Sequence, residues 1–154
     1  MNHRPRILVS ACLLGVNCRY DGKGQAIPRL EELLDACEVI PVCPEQLGGL
    51  PTPRTPSERV GAKVLARDGA DVTDAFARGA AETLRLARLT GVRLALLKAR
   101  SPSCGAGEIY DGSFTGRTVP GSGVAAQALI DAGVQVYNEG QIDPLLSKLK
   151  GNEL

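Results

Sequence analysis

Short apolar runs at residues 7–9, 39–42, 94–97 and 134–136 are separated by stretches with helical spacing, and none sustains an alternation of polar and apolar residues. Strands with one wet face alternate, whereas strands buried on both faces do not. The pattern therefore predicts a parallel sheet covered by helices on both sides. Helices are expected over 30–36, 75–89, 124–132 and 144–150. Thr73 or Asp74, and later Asp143, are candidate N-caps, and Gly91 and Gly133 close two of the helices. Pro41 puts the second strand at an edge or near its own end. Residues 48–59, with three prolines and no periodicity, read as loop. Asp68-Gly69, between 63–67 and 70–72, reads as a hairpin turn. Residues 110–119 read as a small polar excursion. The expected fold is a three-layer, Rossmann-like α/β domain with a mostly parallel sheet of about four strands. It would span residues 1–154 as one domain.

Charge and composition narrow the partners. Eighteen Lys and Arg face seventeen Asp and Glu, a net charge of +1. No bulk field favours a long nucleic acid. Aromatic residues make up 3% of the chain, too few for a stacking track along a single strand. No apolar run approaches the roughly 18 residues of a membrane span. The first twelve residues imitate a lipoprotein signal, with a basic start and small residues before Cys12. The apolar stretch 7–11 is shorter than the about 7–15 residues such a signal needs. A cytoplasmic protein with reduced thiols is the expectation. The single histidine, His3, lies near the start of the chain, where segments are loosely held. That argues against Ser–His or Cys–His catalysis and against a His-rich metal site. Acid–base chemistry falls to a carboxylate, hydroxyl, amine or thiol.

Five cysteines are present. In open α/β sheets ligands bind beyond the carboxyl ends of the strands. Cys12 follows the first predicted strand in Ser10-Ala11-Cys12, Cys43 follows the second, and Cys104 follows the third in Ser101-Pro102-Ser103-Cys104-Gly105. A lone cysteine is ordinarily a small core hydrophobe, and Cys37, just before a strand, keeps that reading. The other three stand in polar loops at one sheet edge, where their sulfurs converge if the strands are neighbours. Zinc sites favour C-x2-C pairs, and none exists here. Iron–sulfur clusters accept scattered ligands, and a [4Fe–4S] cluster on three cysteines leaves one iron without a protein ligand. Cys18 is a possible fourth ligand, although a loop thiol near the site is the better reading.

Four motifs occur in order: residues 10–15 (SACLLG) with 18–22 (CRYDG), 42–45 (VCPE) leading to 49–54 (GLPTPR), 98–105 (KARSPSCG), and 121–124 (GSGV) before a late helix. Together they resemble the small bacterial thiouracil desulfurase family over nearly the whole chain. The resemblance implies an α/β domain with an oxygen-sensitive [4Fe–4S] cluster, one iron of which is not ligated by protein. It implies hydrolytic removal of sulfur from 4-thiouracil-type substrates (base, nucleoside or 4-thiouridine monophosphate), giving the uracil analogue and hydrogen sulfide. Carried over by motif, the cluster ligands are Cys12, Cys43 and Cys104, and the catalytic pair is Glu45 and Ser101. Some relatives carry an additional domain and act on thiolated tRNA; the chain matches the stand-alone type.

Elementary chemistry agrees with those roles. An open iron is a Lewis acid with affinity for soft sulfur, which favours a thiocarbonyl over the carbonyl of the product. Glu45, two residues from Cys43, is placed to deprotonate a water directly or through Ser101. No net electron transfer is required. Arg19, Arg54, Arg59, Lys98 and Arg100 lie in or beside the same loops and together could anchor a nucleotide phosphate. The helix start at Gly121, Ser122 and Gly123 offers backbone N–H groups for the same purpose. Two alternatives remain at this stage: a nonenzymatic iron–sulfur sensor, and a Cys-ligated zinc hydrolase, against which the missing H-x-E and P-C-x-x-C motifs count.

Overall fold

The computed structural model describes residues 4–151. His3 lies outside the described residues. Four parallel strands, β1 (Arg6–Ser10), β2 (Glu38–Val42), β5 (Leu94–Leu96) and β8 (Gln135–Tyr137), form a sheet in the order β2-β1-β5-β8. Pro41 is on the edge strand, where its missing N–H leaves no gap inside the sheet. Ser10 pairs with Val42, and Val9 with Leu96, so three strand ends finish side by side.

Both faces of the sheet are apolar, which is why the strands show no polar alternation. Ile7, Val9, Leu94 and Leu96 point into one core with Leu33 of α1 (Leu30–Ala36) and Leu145 and Leu149 of α5 (Ile142–Lys150). Leu8 and Ala95 point into the other with Ala87 of α3 (Thr73–Thr90) and Ala126 and Leu129 of α4 (Val124–Asp131). Helix α3 buries Ala75, Phe76, Gly79, Ala80, Thr83 and Ala87, a helical stripe. The three layers are those expected from the sequence.

Three local expectations are corrected. The stretch read as loop over 48–59 ends in strand β3 (Ser57–Val60), which pairs antiparallel with β4 (Lys63–Ala66). The turn at Asp68-Gly69 exists, with Ala66 N–H bonded to Ala70 O, but it folds 70–72 back on β4 as a minor arm of that hairpin. The excursion at 110–119 is itself a hairpin, β6 (Glu108–Tyr110) with β7 (Thr118–Pro120). The caps also differ. Helix α3 starts at Thr73, whose hydroxyl is used by Val64 N–H and Asp71 instead. Helix α5 starts at Ile142, and Asp143 pairs with Arg29 in front of α1.

Candidate active site

The chain leaves β1 for β2 on one side, then crosses back to β5 on the other, so β1 and β5 are neighbours whose following segments diverge. Such a switch point opens a crevice at the strand carboxyl ends. Cys12 lies in the 3-10 turn directly after β1. Cys43 immediately precedes the short helix α2 (Pro44–Leu47), whose first turn carries Glu45. Cys104 lies in the loop between β5 and α4.

Glycines lock these segments in place. Helix α2 is pressed on α3 at Gly48 and Gly79; a Cβ on Gly79 would stand 1.9 Å from Pro44 O, and one on Gly48 would stand 2.0 Å from Ala75 O. Ser10 Oγ accepts Lys98 N–H at 2.9 Å, tying the end of β1 to the loop after β5. Val124 N–H donates to Pro102 O at 2.8 Å, and Ala126 N–H to Ser103 O at 2.9 Å. A Cβ on Gly123 would fall 2.5 Å from the Ser103 carbonyl carbon.

A cavity of about 320 Å³ opens on this edge of the sheet. Cys12, Cys18, Cys43, Cys104, Glu45, Ser101, Arg54, Arg19 and Lys98 all contribute to its lining. The five cysteines are all free, and Cys37 sits apart in the core beneath α1. Gly121, Ser122 and Gly123 are not in the lining. Two N–H groups of the first α4 turn, those of Val124 and Ala126, are already bonded to Pro102 O and Ser103 O, and Gly123 N–H goes to Gly105 O. The segment braces the Cys104 loop. Nor are Arg59 and Arg100 in the lining; Arg59 bonds Ser122 O, and Arg100 stands 4.0 Å from Glu108.

A chain of hydrogen bonds runs through the site. Ser101 Oγ accepts two backbone N–H groups, from Ser103 at 3.1 Å and Cys104 at 3.0 Å. A hydroxyl has two acceptor positions and one hydrogen. Ser101 must therefore direct its hydrogen at Ser103 Oγ, 3.0 Å away. Ser103 in turn donates to Glu45 Oε2 at 2.9 Å. Glu45 Oε1 accepts Arg54 Nε at 2.9 Å, within a pair whose side chains are only 17% and 7% exposed. Arg54 also donates to Cys18 O at 2.9 Å. Ser103, buried, was not singled out from the sequence, although a second serine two residues from Ser101 and next to Cys104 was a signal. Lys98 is held by Glu139, which also accepts Ala99 N–H at 2.7 Å.

Three of the site thiols, Cys12, Cys18 and Cys104, are poor acids as they stand. Burial pushes Cys12 up to about 12, helped by repulsion from Cys104, Cys18 and Cys43 and opposed by Lys98. Burial also raises Cys18 to about 12, with Cys43 the next cause, and Cys104 to about 11, against hydrogen bonds from Ser10 and Ser103. Grouped thiols of this kind ionise when a metal replaces their protons. Among the described residues they do not converge on a single-ion site. A polynuclear group, in which different irons take different thiolates, suits donors arranged in this way.

Fold and site define a Rossmann-like α/β protein with grouped thiols and a half-buried carboxylate at the topological switch point. A model of the 2-thiouracil desulfurase family matches residues 7–141, and the chain belongs to that family. The chain is similar to the solved structure of the [4Fe-4S]-dependent thiouracil desulfidase TudS, with 45% identity and a TM-score of 0.89 over 97% of this chain and 99% of that one. It is also 41% identical to the uncharacterized protein YbbK of Bacillus subtilis (strain 168), over 91% of this chain and 99% of the relative. Among the described residues, no helix is long and apolar enough to cross a membrane.

Proposed function

We propose that residues 1–154 form a one-domain cytoplasmic desulfurase that hydrolyses the C–S bond of 4-thiouracil or its nucleoside or monophosphate. Water supplies the oxygen of the uracil product, and sulfur leaves as hydrogen sulfide, without net electron transfer. The observation that carries this reading is the shared cavity of Cys12, Cys43, Cys104 and Glu45, in a chain so similar to a [4Fe-4S]-dependent thiouracil desulfidase. Cys12, Cys43 and Cys104 would hold the cluster. When bound, the cluster supplies a Lewis-acidic iron free of protein ligands, with affinity for the soft sulfur of the substrate.

The chain's own groups handle water and protons. Glu45 accepts one hydrogen bond on each oxygen, which leaves a lone pair on each for a substrate water. Arg54 and Ser103 hold the carboxylate in one orientation, the condition for an effective general base. Ser101 can take a proton from the substrate water once one of its two N–H bonds opens, while its own proton passes to Ser103 and that of Ser103 to Glu45. The reverse path returns a proton as sulfur is protonated.

Anaerobically purified protein should contain iron and sulfide near four each per chain, as expected of a [4Fe–4S] cluster. It should convert 4-thiouracil to uracil with sulfide release and no reductant, and 18O-water should label position 4. Because the family description names 2-thiouracil, both isomers belong in the assay. Unlabelled product, or turnover that consumes an electron donor, would overturn the hydrolytic reading. A cluster-loaded protein that releases no sulfide from any of these substrates would remove the enzyme.

A further inference from the structure

Among the cavity-lining residues that have no part in the proton chemistry just described are Arg67, Tyr110 and Phe114. They come from the end of the β3–β4 hairpin and from the β6–β7 hairpin, elements outside the main sheet. Phe114 has φ 57, in the left-handed region that bulky side chains rarely adopt. Strain of this kind persists only where the surroundings impose it, and it gathers at ligand sites. Here a buried carboxylate imposes it. Glu58 is 8% exposed, and its Oε1 accepts the N–H groups of Gly112 at 2.9 Å and Phe114 at 3.1 Å. Gly112, itself at φ 94, approaches β3 so closely that a Cβ would stand 2.9 Å from Arg59 O. The result is a half-buried phenyl ring held at the cavity wall, with the Arg67 guanidinium over it at 5.5 Å from the centroid.

We propose that Phe114 is the platform on which the heteroaromatic ring of the substrate stacks. Arg67 backs one face of the phenyl ring, and the substrate takes the other. The assignment rests on the desulfurase reading, which makes the ligand a flat, neutral pyrimidine. A thiocarbonyl lies in the plane of its ring. Stacking therefore fixes that plane while leaving the C–S bond free to project edge-on toward the thiols and Glu45. It also accounts for a strained aromatic residue at a φ that glycine would adopt without steric strain.

The test compares Phe114→Leu, Phe114→Gly and Phe114→Tyr in the cluster-loaded full chain. Binding of 4-thiouracil is read by saturation-transfer NMR and calorimetry, beside iron content, melting temperature, KM and kcat. Losing one aromatic platform should weaken binding by about tenfold or more, in Kd and KM alike. Leu and Gly variants should both show that loss with iron and kcat retained, and the Tyr variant should bind as wild type does. The Gly variant should melt near wild type, because relief of backbone strain offsets the lost ring contact and the added freedom of the unfolded chain. A Leu variant that binds as tightly as wild type overturns the assignment, and so does loss of iron from the Gly variant, which would make Phe114 a prop for the thiol site. Wild type that binds, with the same dependence on Phe114, yet releases no sulfide leaves the platform standing and removes the desulfurase reading. Wild type that binds none of 4-thiouracil, its nucleoside, its monophosphate and 2-thiouracil removes both.

Discussion

Ser103 donates its hydroxyl hydrogen to Oε2 of Glu45 across 2.9 Å, joining the loop after β5 to the helix after β2. Ser101 reaches Glu45 only through it. Ser103→Ala should therefore uncouple the two proposed catalytic groups while keeping the thiols in place. General acid–base groups contribute about 10²–10⁴-fold, so a broken relay should lower kcat by about tenfold or more. Iron content and visible absorbance should stay at wild-type values. Unchanged kcat at full iron loading would show that the serine chain carries no proton in the slow step.

Glu45→Gln keeps the shape of the side chain and an acceptor oxygen but removes the base. Iron should be retained and turnover should fall by at least about 10²-fold. Because the amide no longer pairs with Arg54, a modest fall in melting temperature is expected as well. Iron lost in parallel with turnover would instead assign Glu45 to holding the site together.

Cysteine variants separate ligand from bystander. Cys12→Ala, Cys43→Ala and Cys104→Ala should each empty or strongly deplete the iron site, measured as iron and sulfide per chain. Cys37→Ala should retain it, because Cys37 is packed in the core under α1 with its thiol directed at Leu33 O. Cys18 shares the cavity with the three proposed ligands, so Cys18→Ala tests the open iron. Retained iron and turnover support three ligands. An emptied site would mean a cluster fully ligated by protein, with no place for substrate sulfur.

Gly79→Ala should injure the site from a distance. Its Cβ would meet Pro44 O at 1.9 Å, and backbone cannot swing aside as a side chain does. Overpacking of this kind costs about 1–3 kcal/mol or more. Relief by shifting α2 would carry Cys43 and Glu45 with it. A lower urea midpoint together with reduced iron retention is the expected result; a midpoint equal to wild type would mean that α2 tolerates the displacement.

Glu139 provides a pH signature. Burial works to raise its carboxyl, but the Lys98 ammonium and the Ala99 N–H outweigh that and hold it below the ordinary value of 4.5. A carboxyl with a depressed folded value adds stability that is present above about 4.5 and is lost as pH falls through the folded value. Glu139→Gln should cost about 1–2 kcal/mol at pH 7, and the cost should shrink toward zero in acid. Thermal melts from pH 7 to pH 3 would show the two curves converging, and parallel curves would refute the ion-pair account.

The sequence by itself determined the layer architecture, because burial on both faces leaves apolar strands without alternation and each helix writes its own stripe. It also marked Cys12 and Cys43 as strand-end groups, since a residue just past a buried strand must lie at the sheet edge, and Cys104 as a member of the loop that follows the third strand. The motif resemblance added roles for Glu45 and Ser101. What only the tertiary structure decided is which side chains meet. Strand β3 was hidden among prolines, because its stability comes from pairing with β4 and from Glu58 gripping Gly112 and Phe114 more than fifty positions away. The Ser103–Glu45 bond likewise spans 58 positions, and the Arg67–Phe114 contact joins two separate hairpins. Periodicity is a property of neighbours along the chain. Hydrogen bonds and ring contacts between distant segments depend on the crossover past β1 that brings their loops to one edge, and no local pattern records it.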